Sequence, residues 1–160
     1  MTFRRPVERD HVRPLLKLKV KPDQQEQVAS NAATLAQQAY EPNSYVWGLW
    51  DGDTPVGLLA MLDPAGHPDE EQDKADAAYV WRLMIDSAHQ GNGYGLRALG
   101  EVLAVAQEWG RSRVMLSAVE RDGGAIAFYE KYGFDRTGRI VWGEVEMSVP
   151  VDVLRDRLAR

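Results

Sequence analysis

Six consecutive residues, Gln90-Gly91-Asn92-Gly93-Tyr94-Gly95, stand between an apolar strand-like run from Ala78 to Ile85 and a helix-like run from Leu96 to Trp109. Glycines at such a junction remove side chains. A diphosphate can then approach backbone N–H groups where the unpaired donors of a helix N-terminus point outward. Spacing separates this segment from two other phosphate loops. A dinucleotide fingerprint needs its third glycine where Leu96 stands, and a P-loop needs Gly-Lys-Ser/Thr where the chain has Leu96-Arg97-Ala98. An ordinary tight strand-to-helix turn is the competing explanation.

Elements able to hold such a loop alternate along the whole chain, with no repeat, linker or low-complexity tract. The pattern predicts a strand over Thr2 to Val7, a short helix over Asp10 to Leu16 and a longer helix from Asp23 to Tyr40. In the longer helix Asp23 is the cap with Glu26 three residues on. Val28, Ala32, Leu35, Ala36 and Ala39 recur there at 3.6-residue spacing, and Pro42-Asn43-Ser44 ends it. Tyr45 to Trp50 and Pro55 to Leu62 read as antiparallel strands joined around Asp51-Gly52-Asp53. From Asp63 to Asp76 the acids Asp63, Asp69, Glu70, Glu71, Asp73 and Asp76 face a single Lys74, a composition that predicts a solvated loop. After the glycine segment, Leu96, Leu99, Val102, Leu103 and Ala106 mark one helix face. Arg113 to Val119 reads as a strand. Asp122 then caps a helix through Tyr132, which Gly133 ends in a left-handed cap with Phe134 folding back onto it. Arg139 to Trp142 and Glu144 to Val149 read as short strands, and Val151, Leu154 and Leu158 as a closing helix. The class is α/β, a mixed sheet with helices on both faces.

With 160 residues and no long apolar run, the chain is expected to form one soluble domain, 1–160, with a core large enough to fold without staples. Zero cysteines exclude disulfides, thiolate zinc sites and a cysteine nucleophile, so any group transfer is direct or passes through another side chain. Met1 to Leu16 mixes Arg, Glu, Asp and Pro, which fits neither a signal peptide nor a membrane span; a cytoplasmic location is expected. A net charge of −5 argues against a nucleic-acid surface and suits a cationic substrate. His11, His67 and His89 lie in separate segments without ligand spacing, so no metal is expected. His89 adjoins the glycine loop and could touch a phosphate.

Gln90 to Gly95 fits Gln/Arg-x-x-Gly-x-Gly/Ala, which resembles the coenzyme A pyrophosphate loop of the GNAT N-acetyltransferase superfamily. Ala125-Ile126-Ala127-Phe128-Tyr129-Glu130-Lys131-Tyr132-Gly133-Phe134 resembles the C-terminal signature of that superfamily, Asn-x-x-Ala-x-x-x-Tyr-x-x-x-Gly-Phe, with Asp122 where Asn is usual. Val80-Trp81-Arg82-Leu83-Met84-Ile85-Asp86, together with Val28-Ala29-Ser30-Asn31, Leu35-Ala36 and Glu41-Pro42 upstream, is similar to bacterial spermine/spermidine acetyltransferases of the Blt-associated type. The resemblance implies the GNAT fold, a mostly antiparallel twisted sheet of six to seven strands splayed around an acetyl-CoA cleft. It implies acetyl-CoA as acyl donor and a small cationic amine, such as spermidine or spermine, as acceptor. An aminoglycoside, an amino acid or a protein N-terminus is the alternative acceptor within the same fold, and a non-catalytic acyl-CoA sensor is the alternative class. By analogy with the superfamily, in which dimers are frequent, the C-terminal strands could pair across a homodimer interface.

Acetyl transfer requires a neutral amine to attack the thioester carbonyl and the leaving thiolate to be protonated. An aliphatic amine with a pKa near 10.4 is mostly ammonium at pH 7, so exposing its lone pair costs about 4 to 5 kcal/mol, which a base or a desolvating pocket must offset. The resemblance implies that Tyr129 is the general acid. Core packing beside Phe128 and Tyr132 is the competing role of that ring. It also implies that Gln90, Gly91, Asn92, Gly93, Tyr94, Gly95 and Leu96 hold the coenzyme with Asp122 and Ala125, and that the backbone at Leu83, Met84 and Ile85 pairs with the pantetheine arm. The strand that carries Glu in several members has Tyr79, Val80, Trp81 and Arg82 here. The base therefore falls to a water chain ending at Glu120 or Glu41, each of which could equally be a solvated carboxylate. Trp81 could wall the acceptor pocket and hold an ammonium by cation–π attraction, or pack in the core.

Overall fold

A computed structural model describes residues 2–25, 28–69 and 72–160. Its elements are β1 (Arg4–Pro6), α1 (Arg9–Leu16), α2 (Asn31–Gln38), β2 (Ser44–Asp51), β3 (Thr54–Leu62), β4 (Ala77–Ile85), α3 (Tyr94–Glu108), β5 (Arg113–Ala118), α4 (Ile126–Lys131), β6 (Asp135–Val141), β7 (Glu144–Pro150) and α5 (Val151–Leu158). The strands follow one another in the order β1-β2-β3-β4-β5-β7-β6 in one seven-stranded sheet. The chain divides into two compact units, one made of residues to Leu62 with Trp81–Glu101, the other of Asp63–Val80 with Val102–Arg160. Strand β4 and helix α3 each run through both.

In the first unit the expected hairpin forms. Ser44 pairs with Leu62 and, past a bulge at Leu49/Trp50, Asp51 pairs with Thr54, with Gly52 in the left-handed region between them. Strand β1 adds antiparallel to β2, Arg4 opposite Leu49. Leu15, Leu18, Trp50, Leu58 and Met84 pack together as the core, with Val7, Val20, Val28 and Val46 partly buried against it. Helix α2 differs from expectation. It starts at Asn31, capped by Ser30, whose hydroxyl accepts from the Ala33 N–H at 3.1 Å. Asp23 lies instead in a one-turn 3-10 segment, Pro22–Gln24, and Glu26, its expected partner, lies outside the described residues. The Ser30 hydroxyl satisfies one of the orphan donors of the first turn, which fixes the start of the helix there. The buried face of α2 is also polar. Asn31 and Thr34 are buried while Ala32, Ala36 and Ala39 are exposed. Asn31 Nδ2 donates to the Leu15 carbonyl at 2.8 Å, so its amide is satisfied and costs little to bury.

In the second unit Ala77–Val80 of β4 pair in parallel with Arg113–Leu116 of β5, and β5 pairs antiparallel with β7 along Arg113↔Pro150 to Ala118↔Val145. Strands β6 and β7 form a hairpin closed by Trp142 (φ +54) and Gly143 (φ +77). The core here is Val114, Met115, Leu116, Phe134, Val145, Met147, Val149 and Leu154. The acidic segment is anchored more than its composition suggests. Arg111 grips Asp63 through Nη2 at 2.7 and 2.8 Å, Arg113 Nε donates to Asp76 at 2.9 Å, and His67 and Lys74 are buried. Burial works against the Asp76 carboxylate, but the Arg113 hydrogen bond and charge outweigh it and hold its pKa below the usual value. Lys74 Nζ lies 3.4 Å from Oε2 of Glu146, itself 1% exposed, and Thr137 Oγ1 donates to Glu146 Oε1 at 2.9 Å. A charged pair withdrawn from water this far needs such partners. Asp122 caps nothing: α4 begins four residues later at Ile126 with Ala125 as N-cap. Gly123, at φ +71, and the Gly124 N–H bond to Arg121 turn the chain before a helix can start. The end of α4 is as expected, with Gly133 at φ +96 and the Phe134 N–H returning to the Tyr129 carbonyl at 3.1 Å.

Candidate active site

The glycine loop sits at the head of α3, all of it in the first unit. Gly91 and Gly93 take φ of +83 and +81, and a methyl built at either would meet nothing within 4 Å. The left-handed backbone turns the chain, and the absent side chains leave its N–H groups approachable. The first intrahelical bond runs from Arg97 N–H to the Gly93 carbonyl at 3.1 Å, so by helix geometry the amides of Tyr94, Gly95 and Leu96 point out of the end of α3. The residue types thus fit a diphosphate held by main chain. Leu96, expected on the buried face, is 41% exposed at this mouth, and the face is carried by Ala98, Leu99, Val102, Val105 and Ala106.

The loop's side chains serve to hold its shape. Gln90 Nε2 donates to the Ile85 carbonyl at 3.0 Å and to Gln24 Oε1 at 2.9 Å, tying loop to strand. Asn92 Nδ2 donates to the His89 carbonyl, and the Tyr94 hydroxyl donates to Asp51 Oδ2 at 2.5 Å. That hydrogen bond raises the Tyr94 pKa, because ionisation would set two anions side by side. His89 lies 3.9 Å from Asp86 and edge-on to Tyr94. Arg97 was not legible as a site residue, although a cation in the first turn of a helix opposes the macrodipole and is a signal for an anion there. Its guanidinium stands 4.2 Å over the Phe3 ring.

Leu83, Met84 and Ile85 follow on β4, with Met84 buried in the core and the Ile85 carbonyl taken by Gln90. Beside them opens a cleft of about 640 Å³ lined by Ala36, Gln37, Tyr40, Glu41, Trp81 and Arg82. Two expected acceptor residues, Glu41 and Trp81, therefore share one cavity. Of the outward alanines of α2, Ala36 lines it. Arg82 lies between the helix and the tryptophan: Nη1 donates to Thr34 Oγ1 at 3.2 Å and to Gln37 Oε1 at 3.1 Å, and its guanidinium stands 4.7 Å over the Trp81 ring. The ring face expected to receive a substrate ammonium thus already receives an arginine. Arg82 was missed as a site residue. Its signal is a lone charge inside the apolar strand Val80-Trp81-Arg82-Leu83-Met84, which needs polar neighbours from somewhere.

In the second unit Tyr129 stands on α4 with its ring 5.4 Å from Phe128 and 5.4 Å from Phe134. Desolvation pushes its phenol up to about 12, although the side chain as a whole keeps intermediate exposure, so water at the ring edge works against the full shift. The residue is protonated at any working pH. Asp122 lies in the turn before α4, and Ala125 accepts the Tyr129 N–H at 3.1 Å. Glu120 is exposed and paired with Arg136, which makes it an ion-pair partner before anything else. Among the described residues no group of three His, Cys, Asp or Glu could hold a metal, and no helix is long and apolar enough to cross a membrane.

Comparison with known proteins bears on the family and the fold. A family model described as the acetyltransferase (GNAT) family matches residues 11–134. N-acetyltransferase 8F1 of Rattus norvegicus is 29% identical over 93 residues, 58% of this chain and 40% of that protein. The chain thus spans well under half the length of the curated relatives it matches. The GNAT domain of S. lividans PAT superposes with a TM-score of 0.73 at 18% identity, covering 92% of this chain and 89% of that one. A spermidine N-acetyltransferase SpeG chimera from Vibrio cholerae and hSSAT superposes with a TM-score of 0.68 at 17% identity over 100% of both chains. At these identities the structures establish the fold.

Proposed function

We propose that this chain, which belongs to the acetyltransferase (GNAT) family, moves an acetyl group from acetyl-CoA to the primary amine of a small molecule held in the cleft beside Trp81. The observation that carries the proposal is the open glycine cradle at the head of α3, where main-chain donors fit the diphosphate of the carrier. Backbone at Leu83, Met84 and Ile85 aligns the pantetheine arm. The amine nitrogen attacks the thioester carbonyl, the C–N bond forms as the C–S bond breaks, and the Tyr129 hydroxyl donates a proton to the departing sulfur, to be reprotonated from solvent. The proton lost by the amine leaves through water towards Glu41, which lines the cleft.

A polyamine such as spermidine is the acceptor that the sequence resemblance suggests, and the Glu41 carboxylate and the net charge of −5 support it. The guanidinium over Trp81 works against it. A thiol-release assay with acetyl-CoA and a panel of polyamines, amino acids, aminoglycosides and peptides tests the proposal. Turnover with a primary amine is expected; binding of acetyl-CoA without turnover on any of them would make the chain an acyl-CoA sensor.

A further inference from the structure

We infer that the acceptor carries a carboxylate on the same molecule as its amine, and that Arg82 is the specificity-determining residue that receives it. The inference rests on the acetyl-transfer reading above and narrows its substrate class to amino-acid-like acceptors.

Three observations lead there. Arg82 lines the cleft and directly precedes Leu83 in sequence, the start of the backbone stretch assigned to the acyl carrier, so a group that it binds lies near the reacting amine. Its side chain is held in place: Thr34 Oγ1 and Gln37 Oε1 both accept from Nη1, and the Trp81 ring lies beneath the plane. A guanidinium is a rigid fork of five donors that matches the two oxygens of a carboxylate, and immobilising it beforehand lowers the ordering cost of binding. Helix α2 buries Thr34 at 1% exposure, where an apolar residue would pack as well, and the hydroxyl is spent on this arginine.

Electrostatics in the cleft favours a zwitterion. Glu41 supplies a negative group and Arg82 a positive one to the same cavity. A spermidine-like chain places a second ammonium in that space, where it meets a like charge and finds the tryptophan face covered. An amino acid places an amine towards Glu41 and a carboxylate towards Arg82, and both charges are met.

Matched pairs that differ only by the carboxylate test this: L-lysine against cadaverine, L-ornithine against putrescine, L-phenylalanine against phenethylamine. In the wild-type protein the carboxylate member of each pair should be favoured at least about tenfold in kcat/KM, mostly through KM. Arg82→Gln should bring the ratio close to one, and Arg82→Lys, which keeps the charge without the fork, should fall between. Because the wild-type ratio needs no variant, a misfolded Arg82→Gln would not spoil the test. Calorimetric titration of L-lysine and of cadaverine into wild-type protein saturated with CoA gives a second readout that needs no turnover. Stronger binding of lysine there, with no amine acetylated, would overturn acetyl transfer and leave the role of Arg82 standing. Equal or stronger binding and turnover of the decarboxylated amines, or an unchanged ratio in Arg82→Gln, would overturn the inference.

Discussion

Replacing Tyr129 by Phe tests the acid and its environment together. Burial pushes the phenol from 10.0 to about 12, a shift of about two pKa units, worth at most about 3 kcal/mol. The folded pKa lies above the unfolded one, so this stabilisation is complete below pH 10 and is lost as pH rises from 10 towards 12. Full transfer of that proton to a thiolate of pKa near 8.5 runs uphill by about 5 kcal/mol, so the hydroxyl acts chiefly as a hydrogen-bond donor to the sulfur, with the proton crossing late. Two measurements follow. In steady-state kinetics Tyr129→Phe should lower kcat by about 10²- to 10⁴-fold while acetyl-CoA still binds, and wild-type kcat should show no falling limb from this group below about pH 11. In denaturant unfolding between pH 10 and 12, wild type should lose up to about 3 kcal/mol more than the variant. Unchanged turnover with bound acetyl-CoA would refute the acid role. A falling limb near pH 10 that the variant abolishes would refute the burial argument.

Trp142 is 96% exposed with φ +54 at the first position of a two-residue hairpin turn that suits Asn. Trp142→Asn should therefore raise stability by about 0.5 to 1 kcal/mol in thermal unfolding, since it relieves strain and removes little packing. Arg111→Leu, which deletes the two-pronged grip on Asp63, should cost about 1 to 3 kcal/mol in urea denaturation. Ser30→Ala, which removes the cap of α2, should cost about 1 kcal/mol by the same measurement.

What the sequence reveals is what local chemistry decides. Asp51-Gly52-Asp53 makes a hairpin turn between the strands that flank it, Gly133 ends α4 because a residue at ease at positive φ is needed there, and the loop is open at Gly91 and Gly93, which carry no side chain. What the sequence conceals is decided by distant partners. The polar face of α2 is buried because Asn31 finds the Leu15 carbonyl and Thr34 finds Arg82, contacts 16 and 48 residues apart that no helical periodicity contains. The alanines that look like a core face are exposed instead, and Ala36 among them lines a cleft. Lys74 in an acidic tract looks solvated until Glu146, on β7, is seen beside it. Asp122 stands where the family signature has Asn and lies before two glycines, Gly123 at φ +71, which delay the helix it was expected to cap.

The central claim is that main-chain donors between Gln90 and Leu96 bind the diphosphate of coenzyme A. Titration calorimetry of desacetyl-CoA into wild-type protein and into Gly93→Ala measures it directly. Alanine finds space at position 93 but must hold φ at +81 and puts a methyl group in the approach to the amides. The expected result is saturable heat with wild type and an affinity at least about tenfold weaker in the variant, a loss of about 1.4 kcal/mol. Folded wild-type protein that gives no heat, or equal affinity in both proteins, would contradict it.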